Sequence, residues 1–546
     1  MNTASPWALL LAALMVLTSL SASAEPVAVR LLAINDLHGQ LLPPADPLLV
    51  REVTASGAAR PVQAGGVAQL ATLIKRLAAQ SPNHLLVGAG DMIGNSPLNA
   101  RLLREESTIA ILNEMGMAVS SVGNNEFGGG WRELQRLQRG SCEDGGCTID
   151  EFAGARFQYL AANVIENASG KPILPAYAVK SFGDIPVAFI GVTRKNSLDQ
   201  TKAYNFDGIS FRDEVQTINA LVPEIRAQGI EAIVVLLHEG AKNDAAPNDC
   251  GSAAATLTPL VGKIDKAVDV IITAHTHQAY ICRLDGRVVT QASNYGRMLT
   301  SIDLLLDPVT RDVMAAQASN HLVETDAVLP DPAVQKLVTR FETQAASVSE
   351  RLIGTMAAPV SLAANAAGES PIGLLVADSM LAAFPGADVA FVNPRSLRAS
   401  IMPANIAGKI RYADAFEVLP HGRRIATLSL NGSQLIEVLN LQWKGRTKPA
   451  ILQPSRGFVY AWRKDETGGS VLTESIRLNG RPLEAQTNYR VVLDASLAEG
   501  GEGFETFKAA RDKRYVAGTI EYDLLARYLS RPGVEAPAGG RIVLRD

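Results

Sequence analysis

The sequence predicts an α/β protein of two domains, a layered α/β domain followed by an α+β domain, with a linker helix between them. Three observations carry this. From about residue 28 to about residue 320, short Val/Ile/Leu runs alternate with amphipathic helical patterns. Pro330-Asp331-Pro332 then opens a charged helical stretch, Ala333 to Arg351, with a proline-bearing start. Beyond Leu352 the pattern changes to one helix, Pro371 to Ala383, followed by mixed strands with Gly-rich turns. A chain of 546 residues also exceeds what one hydrophobic core supports.

At the N-terminus, Trp7 to Leu20 is apolar and ends in Ser21-Ala22-Ser23-Ala24, a small-x-small site suited to signal peptidase. The expected mature chain opens at Glu25-Pro26, and residues 1–24 are expected to be a signal peptide. A membrane anchor is the competing reading, but the stretch is short for a span. No cysteine follows it, so a lipoprotein is not indicated. The expected localisation is periplasmic or secreted, without stable membrane insertion.

In the first domain, Val29 to Ile34, His84 to Ala89, Val187 to Ile190, Ala232 to Leu237 and Val268 to Thr273 read as buried strands. Val67 to Ala79 and Glu214 to Gln228 read as helices between them. With 47% hydrophobic residues, 19% charged and a net charge of -4, the chain is neither disordered nor a polybasic nucleic-acid binder. Export to an oxidising compartment makes two disulfides the expectation for four cysteines, Cys142 with Cys147 and Cys250 with Cys282. No Cys-x-x-Cys spacing supports a cysteine-bound zinc site.

Five segments carry the chemistry: Asp36-Leu37-His38, Gly90-Asp91, Gly123-Asn124-Asn125-Glu126, His238 and His275-Thr276-His277. Each is weak alone, since a strand-end histidine is more often structural than a ligand. Of the seven histidines in the chain, however, four fall in this set. Asp36, Asp91, His238 and His275 each follow an expected strand, at the end where open α/β sheets collect ligands. Carboxylates, imidazoles and an Asn carbonyl together suit two divalent ions, zinc, manganese or similar. Such a pair clamps a phosphoryl group and turns a bound water into a nucleophile.

These segments, with Gly94-Asn95-Ser96-Pro97-Leu98, Gly368-Glu369-Ser370-Pro371-Ile372-Gly373, Val392-Asn393-Pro394 and Gly500-Gly501-Glu502-Gly503-Phe504, resemble the bifunctional metallophosphatase/5'-nucleotidase family. That family includes periplasmic UDP-sugar hydrolases and ecto-5'-nucleotidases. The resemblance implies a metallophosphoesterase domain at 25–325, a linker helix at 326–352 and a 5'-nucleotidase-type substrate-binding domain at 353–546. It implies that Asp36, His38, Asp91 and His277 hold one metal, and that Asp91, Asn124, His238 and His275 hold the other. It further implies that the C-terminal domain binds the nucleotide, with Asn393 and Arg398 at the substrate-contacting positions, and rotates about the helix to deliver it.

The chain departs from the family pattern at several points. Asn125 stands where the family has its catalytic histidine, and Gly128 stands at that histidine's Asp partner. Asn donates a hydrogen bond but carries no proton, which removes general-acid help to the leaving group. Gly128, if at positive φ, accepts Asp only at a cost. His421 and Ser496 replace the two phenylalanines that clamp the base, and Glu502 replaces the ribose-binding Asp. Asn393-Pro394-Arg395-Ser396-Leu397-Arg398 lacks the usual Gly-Gly. Phe458, Tyr460 and Trp462 share a strand face and read as core packing, with a replacement base platform as the other reading. The expected function is metal-dependent hydrolysis of a small, nucleotide-like phosphate ester, with weakened stacking on the base. The alternative is a catalytically degenerate homologue that binds metal and a phosphorylated ligand without efficient turnover.

Overall fold

The first apolar run forms the strand Val27–Ile34, and its two faces enter different cores. Val29, Leu31 and Ala33 point into one, Leu32 and Ile34 into the other. A strand covered on both sides has no solvent face, so its sequence is continuously apolar instead of alternating. In the computed structural model, residues 25–51, 59–142, 147–150, 152–196, 206–402 and 408–545 are described. The expected signal peptide at 1–24 lies outside the described residues.

Two six-stranded sheets build the first half of the chain. One runs Val313–Leu322, Met298–Leu306, Val27–Ile34, His84–Gly88, Met117–Ser121, Gln158–Leu160. The other runs Ala279–Leu284, Arg287–Ala292, Val270–Thr273, Ala232–His238, Ile185–Thr193, Tyr177–Phe182. Between them lies one apolar layer, in which Leu31, Val87 and Leu304 meet Phe189, Val234 and Ile272. Helix Val67–Ala78 covers the outer face of the first sheet, and helices Glu214–Arg226 and Ala253–Val261 cover that of the second. The expected α/β layering is present as a four-layer stack. Pairing within each sheet puts Ile34, Gly88 and Ser121 at one set of parallel C-terminal ends and Thr193, His238 and Thr273 at the other.

The helix expected after Pro330 is Pro332–Ser349, capped by Asp331, whose carboxylate accepts from Ala333 N and Val334 N. Its buried residues Val334, Val338, Phe341 and Ala345 join the core that holds helix Val67–Ala78, so it is docked on the first domain. Lys75 Nζ lies 2.6 Å from Asp331 Oδ2. Contact with the second half starts at its far end, where Arg411 pairs with Glu350 at 3.0 Å and Tyr412 N donates to Arg351 O.

The second half contains a five-stranded sheet, Gln453–Pro454, Val389–Val392, Asn488–Asp494, Arg424–Asn431, Arg511–Ile520, and a four-stranded one that includes Phe458–Arg463. Helix Pro371–Ala383 has the expected bounds. Phe458, Tyr460 and Trp462 are buried in one core, with Trp462 Nε1 donating to Ala367 O and Tyr460 OH to Gln442 Oε1. Their role is packing, and the base-platform reading fails. Cys142 is bonded to Cys147 and Cys250 to Cys282.

Candidate metal centre and substrate rim

The strand ends of the two sheets meet at one cluster. Asp36, His38 and His277 present ligand atoms within 4.8 Å of one another, and so do Asp91, His238 and His275. Each triad falls within one of the four-residue sets expected from the sequence, without Asp91 in the first and without Asn124 in the second. Asn124, the other expected ligand, precedes the short 3₁₀ turn Asn125–Gly129 and is 5% exposed.

Three of these residues carry buried polar atoms with no hydrogen-bond partner among the described residues: Asp36 Oδ1, Asn124 Oδ1 and His238 Nε2. Leaving such an atom unpaired costs roughly 1–3 kcal/mol. His238 Nε2 and Asp91 Oδ2 lie 3.2 Å apart without hydrogen-bonding geometry. His238 Nδ1 donates to Ala89 O and His38 Nδ1 to Gly94 O, so in each ring Nε2 is the atom left to bind a cation. His38 Nε2 and His277 Nε2 are 3.1 Å apart. Oxygen and imidazole atoms left in this way fit divalent cations.

Backbone strain marks the same place. Asp36, His38, Asp91, His275 and His277 all have positive φ, between 49° and 72°. A non-glycine residue there costs on the order of 1–3 kcal/mol and persists where its surroundings over-determine it. Gly90 has φ 88°, and a Cβ on it would also lie 2.6 Å from Gly123 N and 2.7 Å from His238 Nδ1, so glycine alone fits there.

Electrostatics agree with cation binding. Burial alone would raise the Asp91 carboxyl, but His238, His38 and the Asn125 amide hold it well below the usual carboxylate range. Burial opposes charge on His238, yet Asp91, and behind it Asp36, push its pKa up to about 10. Burial, with His238 close by, takes His275 down to about 4. The cluster therefore draws positive charge to Asp91, where a proton takes the place of a cation.

Asn125, which the resemblance places where a histidine is expected, faces the expected metal bridge. Its Nδ2 donates to Asp91 Oδ2 at 2.8 Å and its backbone N to Asp91 Oδ1 at 2.7 Å. Gly128 does not have positive φ, and a Cβ there would meet only Gly94 Cα at 3.9 Å, so the conformational cost expected for Asp at this position is absent.

Several residues without an assigned role hold the centre in place. Glu126 accepts from Asp91 N, Met92 N and Gly123 N at 2.7–2.9 Å, locking two ligand loops together. Burial and the Asp91 charge push its pKa up to about 8. Asn35 Nδ2 donates to Asp36 Oδ2, and Asn294 Nδ2 lies 3.0 Å from His277 Nδ1. Glu126 stood inside a quoted motif, so its sequence signal was present. Asn35 adjoins the Asp36-Leu37-His38 segment, whereas Asn294 carries no sequence signal, because its partner is set by sheet pairing.

The four expected substrate residues gather at a rim in the second half. Arg398 Nη2 bonds His421 Nε2 at 2.9 Å, and Arg398 Nη1 donates to Leu397 O. Glu502 Oε2 pairs with Arg395 Nη1 at 2.7 Å. Asn393 is buried, its side-chain oxygen accepting from Arg395 N. Arg446 joins the rim through Glu502 O, with its guanidinium 4.8 Å from the Phe504 ring centroid. Burial and the nearby Arg395 charge lower the Arg446 pKa. The His421-Gly422 turn reaches the first domain at Arg101: a Cβ on Gly422 would lie 2.8 Å from its Nη1, and Arg101 Nε donates to Ser96 O in the loop after Asp91.

Residues 29–279 match the calcineurin-like phosphoesterase family, and residues 349–509 match the 5'-nucleotidase C-terminal domain. Endonuclease YhcR of Bacillus subtilis is 30% identical over 478 residues, 88% of this chain and 38% of that protein. Cell wall protein Lmo0130 of Listeria monocytogenes is 29% identical over 535 residues, 90% of this chain and 66% of that protein. The chain thus spans less than two thirds of either relative. A snake venom 5'-nucleotidase of Naja atra is 25% identical over 530 residues, covering 88% of this chain and 93% of its own. In fold, the chain is similar to a 5'-nucleotidase precursor from Thermus thermophilus, with a TM-score of 0.59 and 24% identity over 95% of this chain and 99% of that one. The chain therefore carries a calcineurin-like metallophosphoesterase domain followed by a 5'-nucleotidase C-terminal domain.

Proposed function

We propose that the protein is an exported phosphoesterase that hydrolyses a nucleotide-like phosphate ester at two divalent metal ions. The observation that carries this reading is the pair of ligand triads with Asp36 Oδ1, Asn124 Oδ1 and His238 Nε2 left unsatisfied in the interior. Cations bound there supply Lewis acidity toward the phosphoryl oxygens and an activated water.

The chain's own residues do the rest. Glu126 fixes the loops of Asp91 and Gly123 relative to each other, and Ala89 O and Gly94 O fix the two imidazoles. Such fixed ligands avoid reorganisation during the reaction. Asn125 Nδ2 sets the orientation of Asp91 and offers no proton to a leaving oxygen. Good leaving groups are therefore the favoured substrates.

Arg395 and Arg446 both contact Glu502 at the substrate rim, and Arg398 adjoins them through Arg395 O. Ser496 and His421 stand where the family has aromatic rings. A cationic rim with little stacking surface favours an ester whose leaving part bears a further anionic group over a plain nucleoside. Two disulfides, and a relative named a cell wall protein, support export. Among the described residues no helix is long and apolar enough to cross a membrane.

The test is a turnover screen of the purified mature chain with added Mn²⁺ or Zn²⁺. Nucleotides, nucleotide sugars, cyclic nucleotides and bis(p-nitrophenyl) phosphate would be compared. Metal-dependent release of phosphate or nitrophenol, abolished by EDTA, is expected. Release no faster than with metal alone would overturn the proposal.

A further inference from the structure

One cation already sits against the second ligand triad. Arg194 follows the strand Ile185–Thr193, whose last residue is in register with His238 on the neighbouring strand. That register brings Arg194 to the sheet edge from which the ligands project. Its Nη1 lies 2.8 Å from His275 Nε2, and its Nε lies 2.7 Å from Glu239 Oε2.

The chemistry of this contact is restrictive. A guanidinium has only donors, so His275 must be the acceptor and must spend a ring lone pair on Arg194. A neutral imidazole has one such lone pair. Were a metal held by Nε2, the arginine would stand in its position. Were it held by Nδ1, Nε2 would carry the ring proton and have nothing with which to accept. Either tautomer excludes the arginine contact and the metal bond at the same time.

In the first triad no fixed cation among the described residues holds a ring nitrogen. His38 directs its Nδ1 proton to Gly94 O, and its Nε2 meets His277 Nε2 at 3.1 Å. A change of tautomer at His277 turns this contact between two imidazoles into two lone pairs. Beside His277, Asn294 can rotate its amide to present oxygen instead of nitrogen, a choice a guanidinium lacks. We infer that Arg194 and the second metal ion compete for the lone pair of His275, so that the Asp36–His38–His277 site fills first and the Asp91–His238–His275 site fills only as Arg194 lets go. Glu239 retains Arg194 at the edge of the centre after release, through a contact that does not involve His275. The inference rests on the two-metal reading above.

Calorimetric titration of the metal-free mature chain with Mn²⁺ tests it, with metal content read independently by mass spectrometry. The wild type should bind in two steps, the second at least about tenfold weaker. Arg194→Met should tighten the second step by about tenfold or more and leave the first within about twofold. Arg194→Gln, whose amide can turn its oxygen toward a protonated Nε2, should behave similarly and provides a second variant if the first fails to fold. Two steps with unchanged or weakened second affinity in the variants would overturn the inference alone. Absence of a second equivalent in all three proteins would overturn the two-metal reading and the inference with it.

Discussion

Asn125 Nδ2 donates to Asp91 Oδ2 at 2.8 Å, while the backbone N of the same residue donates to Asp91 Oδ1 at 2.7 Å. Both oxygens of the expected bridging carboxylate are thus oriented by one residue, at the position where the sequence resemblance leads us to expect a histidine. On the proposed reading, the side chain that would serve the leaving group is instead engaged with Asp91. Restoring the pair with Asn125→His and Gly128→Asp should raise kcat on AMP by about 10²-fold or more and change p-nitrophenyl phosphate turnover far less. At Gly128 φ is not positive and an added Cβ would meet Gly94 Cα at 3.9 Å, an ordinary contact, which favours the double variant. Equal gains on both substrates would refute the leaving-group argument.

The ligand triads make a prediction about content. Reconstituted wild-type protein should hold about two divalent ions per chain, and His238→Ala about one. Elemental analysis after gel filtration decides it. Full content in the variant would remove His238 from the ligand set.

Glu126 ties the Asp91 and Gly123 loops through its two carboxylate oxygens. Above its pKa of about 8 the Glu126 carboxylate accepts through both oxygens, so at pH 9 Glu126→Gln replaces one acceptor by a donor facing N–H groups, a loss of about 1–3 kcal/mol. Chemical denaturation of the metal-loaded protein should show this, together with weaker metal retention against EDTA. Unchanged stability and retention would deny Glu126 its anchoring role.

The arginine rim predicts charge selectivity. Adenosine 3',5'-bisphosphate should be preferred over AMP in kcat/KM, and Arg446→Gln should reduce that preference by about tenfold. A preference unaffected by the substitution would place the second anion elsewhere.

Asp269, just before the strand Val270–Thr273 and at its far end from His275, supplies a pH prediction. Burial pushes its pKa up to about 8 against the Ile233 N–H, and Asp312 adds to the push. A carboxyl that holds its proton more tightly when folded than when unfolded favours folding at low pH. That contribution is lost as pH rises from about 4 to about 8. Asp269→Asn should therefore melt higher than wild type at pH 8, with no gain at pH 4. Parallel melting curves across this range would show that Asp269 titrates normally.

Element types and the two candidate triads could be read from the order of residues. Runs such as Ala232 to Leu237 are long, apolar and rich in β-branched residues, so local preference and burial agree and the strand forms as read. The two candidate triads were legible because metal chemistry restricts residue type, and because these residues sit beside strand ends that periodicity reveals. Which strands share a sheet was settled only in three dimensions, since partner choice depends on contacts far apart in the chain. Hence the two facing sheets, and the helix Pro332–Ser349 docked on the first of them, could not be read from local pattern. For the same reason nothing in the sequence tied Arg194 to His275. Their contact depends on where two loops end after separate strands have paired, and a hydrogen bond fixed by that geometry leaves no mark on either segment.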